Sequence, residues 1–133
     1  MAGDAVAVVR GAYESFAQGD VGSVLSVLDP NVEWVESDAA GIPGRGTHVG
    51  PNAVAENVFG PVPLLWESFR LEPEDYFNDG DTVIVRGVVR GVTRASGRTL
   101  EAPFVHVFTV VDGRVTRMTN HHDTALWVEA LRA

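Results

Sequence analysis

Between Asp4 and Asp20 the apolar side chains recur at Val6, Val9, Tyr13 and Phe16, an i, i+3, i+4 rhythm that predicts an amphipathic helix. Asp4 is expected to cap its N-terminus, and Gly19 to end it in a left-handed conformation. Asp20 can then cap a second helix, "VGSVLSVL", in which Val21, Val24, Leu25 and Leu28 share a face, and "DPN" at 29 to 31 closes the pair. "VEWVES" (32 to 37) reads as a short strand. The Gly-rich "DAAGIPGRGTHVG" reads as a connection, followed by a helix opening with Pro51 in "PNAVAENVF". From Phe69 onward the period changes to two. "FRLEPEDYFND", "DTVIVRGVVRGVTR", "RTLEAPFVHVFTVV" and "RVTRMTNHH" form successive strands separated by "NDGD", "ASG" and "VDG" turns. Helices first and an antiparallel meander afterwards imply an α+β fold, in which the helices cover one face of a curved sheet. Residues 1–133 are read as a single domain, the size at which one core fills.

Alternation sorts the side chains of the last two strands into faces. Met118, Asn120 and His122 share one face of the final strand, and Arg117, Thr119 and His121 share the other. The second set is the more polar, which points Asn120 and His122 inward. On the preceding strand Phe104, His106, Phe108 and Val110 alternate with Val105, Val107, Thr109 and Val111. A two-residue Asp-Gly turn would pair Val107 with Met118. A three-residue loop with Gly113 in a bulge would shift the register by one, and the sequence leaves both open.

Composition removes whole classes of chemistry. The chain has no Cys, and all ten of its basic residues are Arg, so thiol nucleophiles, disulfides and Schiff-base lysines are excluded. A formal charge of −8 with no basic run gives no footprint for nucleic acid or an anionic membrane. The N-terminal "MAGDAVAVVRG" lacks the pattern of a secretory leader, so a cytoplasmic protein is expected. Neither a phosphate-binding glycine run nor zinc-type His spacing occurs, so no metal and no cofactor are expected. Any catalysis rests on His, Asp, Glu, Tyr, Arg or water.

Two short helices ending in "GD" and "DPNVEW", the helix start Gly50-x-x-Ala53-Val54 and the hairpin "HVFTVVDGRVTRMTNHHD" together resemble the nuclear-transport-factor-like superfamily. Within it the chain most resembles SnoaL-like polyketide cyclases and ketosteroid-isomerase-related proteins. The resemblance implies a cystatin-like cone, a mostly antiparallel sheet curled around the N-terminal helices and enclosing an apolar pocket. It also implies functional residues seven positions before and seven after the turn glycine, His106 and Asn120. His106 matches the pocket histidine of SnoaL-like cyclases and the site where ketosteroid isomerases keep a protonated Asp in the oxyanion hole. Asn120 departs from the pattern, standing where SnoaL-like cyclases and epoxide-hydrolase-like proteins carry a catalytic Asp, and it cannot take a proton. Arg86 matches the arginine of an epoxide hydrolase Asp-Arg-Asp triad, but Val88 replaces its second Asp. The oxyanion tyrosine would fall at Ala12, beside Tyr13, and the base of the isomerases at Val35, between Glu33 and Glu36.

These readings give an expected site. His106, either a hydrogen-bonded core residue or a pocket donor, would stabilise an enolate. Asn120 would orient it, and His122 or Glu33 would act as base, since burial near Phe16 and Trp34 would raise the pKa of a carboxylate at position 33. Tyr13, Phe16, Val35, Arg86, Phe104, Phe108 and Met118 are expected in the pocket wall. His121 is expected outside, and Asp123 as the cap of a terminal helix "TALWVEAL". The expected function is a small-molecule isomerase or cyclase working by proton transfer next to a carbonyl, on a small hydrophobic or polyketide-like ligand. The alternatives are a non-catalytic binder and water addition to an epoxide. Proteins of this type pair through the convex sheet face, which implies a homodimer through Val105, Val107, Thr109, Arg117, Thr119 and His121.

Overall fold

The computed structural model describes residues 2 to 132, with side chains described from residue 5 onward. Helix α1 (Ala2–Ala17) starts before the expected cap, so Asp4 lies inside it instead. Its Val9 and Tyr13 point into the core. Gly19 turns the chain with φ 75°, and Asp20 caps α2 (Val21–Ser26) by accepting from the Ser23 amide at 3.1 Å. Strand β1 (Leu28–Glu36) starts four residues earlier than the alternation of "VEWVES" indicates, because "DPN" is extended and a bulge between Leu28 and Glu33 absorbs it. Part of the Gly-rich connection is itself a strand, β2 (Gly46–Val49). Helix α3 (Pro51–Val54) runs directly into a π-helical turn (Ala55–Phe59) and then α4 (Val62–Leu65).

The long strands β3 (Trp66–Asp79), β4 (Thr82–Thr93), β5 (Thr99–Val111) and β6 (Arg114–His122) form the expected meander. Asp123 accepts from the Leu126 amide at 3.2 Å and starts α5 (Thr124–Leu131) as expected. All six strands join one open sheet in the order β2-β1-β6-β5-β4-β3, antiparallel except where β1 runs parallel to β6. Helix α1 lies across β3, β4 and β5 and closes the concave side. Among the described residues no helix is long and apolar enough to cross a membrane.

The curl of the sheet depends on glycine in β4. A Cβ on Gly87 would stand 2.3 Å from the Glu72 carbonyl oxygen and 2.8 Å from the Phe104 ring. At this point β3 bulges between Pro73 and Asp75, and only a residue without a side chain lets it pass.

The β5–β6 hairpin combines both readings of its turn. Asp112 and Gly113 have φ 52° and 77°, the two positive values of a type I′ turn, so the loop is two residues long and Val111 pairs with Arg114. The register then slips by one between the Thr109–Arg117 and Val110–Val115 pairs, leaving Thr116 as the extra residue. The Thr116 hydroxyl donates back to the Thr109 carbonyl at 3.3 Å. As a result His106 stands opposite Asn120, and Phe104 opposite His122.

Candidate active site

The concave face, α1 and the segment from Ile42 to Leu65 enclose a cavity of about 110 Å³, walled by aromatic rings that include Phe16, Trp34, Phe59, Trp66 and Phe69. Into this apolar lining the strands and α1 send five polar side chains: Glu36 from β1, Asn120 and His122 from β6, His106 from β5, and Tyr13 from α1. Glu36, Asn120 and His106 form a row across three adjacent strands. With strands about 4.8 Å apart, the backbones carrying the outer two are roughly 10 Å apart.

The groups in this row hold one another. Asn120 Nδ2 donates to Glu36 Oε1 at 2.9 Å, and Trp34 Nε1 donates to Oε2 at 2.8 Å. Glu36 as a whole residue is half-buried, but its carboxylate is enclosed by protein. Burial raises its pKa, against the opposing pull of the Asn120 and Trp34 hydrogen bonds and of the His48 charge. His106, 7% exposed, shares a 2.5 Å hydrogen bond between its Nδ1 and the Tyr13 hydroxyl. The two rings are almost coplanar, at 3°, as an in-plane bond to a ring nitrogen requires. Burial, reinforced by the charges of His122 and His121, lowers the His106 pKa to about 3, and burial raises that of Tyr13. The pair is therefore neutral at physiological pH. His122 stacks edge-on against Trp127 at 5.0 Å, and its pKa too is lowered, chiefly by burial. Several buried polar atoms of the lining lack a protein partner: Asn120 Oδ1, both ring nitrogens of His122, and Trp127 Nε1.

The structure brings His106, Asn120, His122, Tyr13, Phe16, Phe104 and Met118 together, as expected. It places four other expected residues elsewhere. Glu33 is exposed and Val35 faces the same way, because Val32 and Trp34 are the buried members of β1 and alternation turns 33 and 35 outward. Glu36, in phase with Trp34, is the inward carboxylate. Arg86 is exposed and pairs with Asp75, since Val85 and Gly87 occupy the inner face of β4. The arginine-centred triad therefore has no counterpart inside the cavity. Phe108 is buried beneath the cavity floor, edge-on to Tyr13 at 6.0 Å, and does not line it. His121 is outside, as expected, with Nε2 3.2 Å from the Thr119 hydroxyl. Sequence reasoning did not place Trp34 Nε1 or Trp127 at the site. The apolar size of Trp34 beside two carboxylates was the signal that its own face is the inner one.

Comparison with known proteins agrees with this architecture. No curated protein sequence matches the chain. Among solved structures, an NTF2-like protein of unknown function from Burkholderia pseudomallei is 30% identical, with a TM-score of 0.91 over 98% of each chain. TerC, solved in crystals grown with polyporic acid, is 31% identical, with a TM-score of 0.88 over 98% of this chain and 99% of its own. A candidate polyketide cyclase from Xanthomonas campestris is 25% identical, with a TM-score of 0.80 over 98% of both. The family model described as the SnoaL-like domain matches residues 9–118, covering all five polar side chains of the cavity except Asn120 and His122, and the chain belongs to that family.

Proposed function

We propose that the protein is a cofactor-independent isomerase or cyclase that moves a proton next to a carbonyl group of a small hydrophobic or polyketide-like ligand. The observation that carries this reading is the Glu36 carboxylate, desolvated in an apolar cavity and with its pKa raised, so that it is a stronger base than a solvated one once ionised. Glu36 takes a proton from the carbon beside the carbonyl, and the electron pair of that C–H bond passes to the carbonyl oxygen. The resulting enolate needs a donor. Tyr13 O–H donating to His106 Nδ1 leaves the imidazole proton on Nε2. Neutral His106 then serves as hydrogen-bond donor in a site where water does not compete. Glu36 returns the proton to another carbon, giving the isomer, or the enolate carbon attacks a second carbonyl, closing a ring, and Glu36 returns the proton to the alkoxide oxygen formed there. Asn120 is the orienting partner of both, and His122 is a second proton carrier. The reading is further supported by the similarity to a candidate polyketide cyclase and to TerC, which was co-crystallised with polyporic acid.

A single-ring probe tests it. The protein should convert cyclohex-3-enone to the conjugated cyclohex-2-enone, followed by ultraviolet absorbance. The rate should rise with pH through a midpoint above the ordinary carboxylate value, and Glu36→Gln should lower it by about 10² to 10⁴, the range of general base catalysis. A rate unchanged in Glu36→Gln would assign the cavity to ligand binding alone. As an assembly we propose a homodimer through the convex face. There Thr47, Val35, Thr119, Val107, Ile84 and Phe77 align in register across all six strands, with Phe77 54% and Ile84 36% exposed.

A further inference from the structure

The cavity holds polar atoms that neither Glu36 nor His106 satisfies. Asn120 Nδ2 is committed to Glu36, which fixes the amide and leaves Oδ1 as an acceptor without a partner. Two residues further along the same face of β6, both nitrogens of His122 are unpartnered, and so is Trp127 Nε1 on α5, whose indole packs against that imidazole. Buried polar groups are ordinarily hydrogen-bonded, and leaving one unpaired costs about 1 to 3 kcal/mol. A cluster of such atoms in the lining of one cavity therefore marks where a ligand's polar groups belong. Two further observations restrict that ligand. The cavity of about 110 Å³ is somewhat smaller than the engineered cavity of about 150 Å³ that holds benzene, so it has room for no more than one ring unless its walls move. Its lining contains no Arg and one carboxylate, so an anionic head would meet no counter-charge and one like charge.

We infer that the substrate is a neutral single-ring compound, or the single-ring end of a larger one, with oxygen functions at opposite ends of the ring, the 1,4-pattern of hydroquinones and their keto tautomers. This deepens the reading of the cavity as a substrate site and rests on it. One oxygen donates its proton to Asn120 Oδ1. The other accepts from Trp127 Nε1 and donates to the acceptor nitrogen of His122, so each unpartnered residue gains a bond. Side chains two residues apart on a strand are about 6.8 Å apart. That spacing suits oxygens on opposite corners of a six-membered ring and not those on adjacent corners. The aromatic walls supply flat faces for the ring between them.

Hydroquinone, resorcinol and catechol have one composition and nearly one volume, so their ranking isolates the placement of the oxygens. Binding to the full chain is read by calorimetry under nitrogen at pH 7. Hydroquinone is expected to bind at least about tenfold more tightly than catechol, the size of one hydrogen bond and its otherwise unpaired partner. Resorcinol is expected to fall between them. Trp127→Phe keeps the ring and removes the N–H, and His122→Phe removes both nitrogens. Each should reduce the preference to less than about threefold. Equal binding of the three isomers, no binding of any, or a preference that survives both substitutions would overturn the inference. The cyclohexenone assay separates this from the function itself. Equal isomer binding with a Glu36-dependent rate overturns only the substrate class, and a hydroquinone preference without such a rate overturns only the enzyme assignment.

Discussion

Acid should destabilise this protein through His106, and the size of the effect follows from its burial. The unfolded chain binds a proton at His106 with the ordinary pKa of 6.5, whereas the folded chain resists protonation until about pH 3. A group whose folded pKa is lowered contributes stability that is present above the unfolded value and is lost as pH falls toward the folded one. Between those limits the unfolded state holds about one more proton, so stability falls by about 1.4 kcal/mol per pH unit. Integrated from pH 7.5 to 5.5 the loss is about 1.4 kcal/mol. His122 acts in the same direction, and Glu36, with its raised pKa, in the opposite one. The wild-type curve alone is therefore a mixture, and a difference isolates the term. His106→Asn keeps a hydrogen-bonding group where Nδ1 meets Tyr13 but cannot titrate. Urea unfolding of both proteins, in half-unit steps from pH 7.5 to 5.5, should show the wild type losing about 1.4 kcal/mol more than the variant, with unchanged m-values. Parallel stability curves would refute the argument and mean that the imidazole reaches solvent in the folded state.

Gly87→Ala should destabilise the fold by about 3 kcal/mol, toward the upper end of overpacking costs, because the new methyl meets the Glu72 carbonyl and Pro73 backbone and not a flexible side chain. Thermal unfolding followed by circular dichroism measures it, and a melting temperature within a degree of wild type would contradict the described approach of β3 to β4. Light scattering at micromolar concentration should give twice the 14.3 kDa of one chain, falling to one chain in Val107→Glu, which puts a charge in the middle of the convex row.

The parts of the fold visible in the sequence are those where one period runs unbroken. Val9 and Tyr13 keep the helical phase of α1, and β4 and β5 alternate without interruption over twelve and thirteen residues. What was hidden involves departures from a period. The bulge in β1 made Pro30 and Asn31 look like a loop, and the four residues of β2 are too few to display a rhythm within a Gly-rich stretch. The π-helical turn at Ala55–Phe59 has no spacing of its own to read, yet it delivers Val58 and Phe59 to the cavity. Asn120 and His122 were assigned inward because their neighbours Arg117 and Thr119 are more polar, and burial follows that contrast. Glu33 failed for a related reason. The resemblance put the base at Val35, between Glu33 and Glu36, and the choice depended on the phase of Val32 and Trp34, whose bulk outweighs a carboxylate when a strand selects its inner face.

The single extra residue at Thr116 gives this chain an evolutionary switch. Keep that residue but pair it in the ladder, and an uninterrupted two-residue hairpin would turn β6 over, so that Arg117, Thr119 and His121 replaced Met118, Asn120 and His122 opposite Phe108, His106 and Phe104. A site now built around a carboxylate would gain a guanidinium and lose the amide that holds Glu36. One codon gained between Val115 and Arg117, with the bulge kept, would set the same shift and convert this carboxylate-centred cavity into an anion receptor without altering any residue of its other walls, a shorter path to new chemistry than stepwise replacement of its lining.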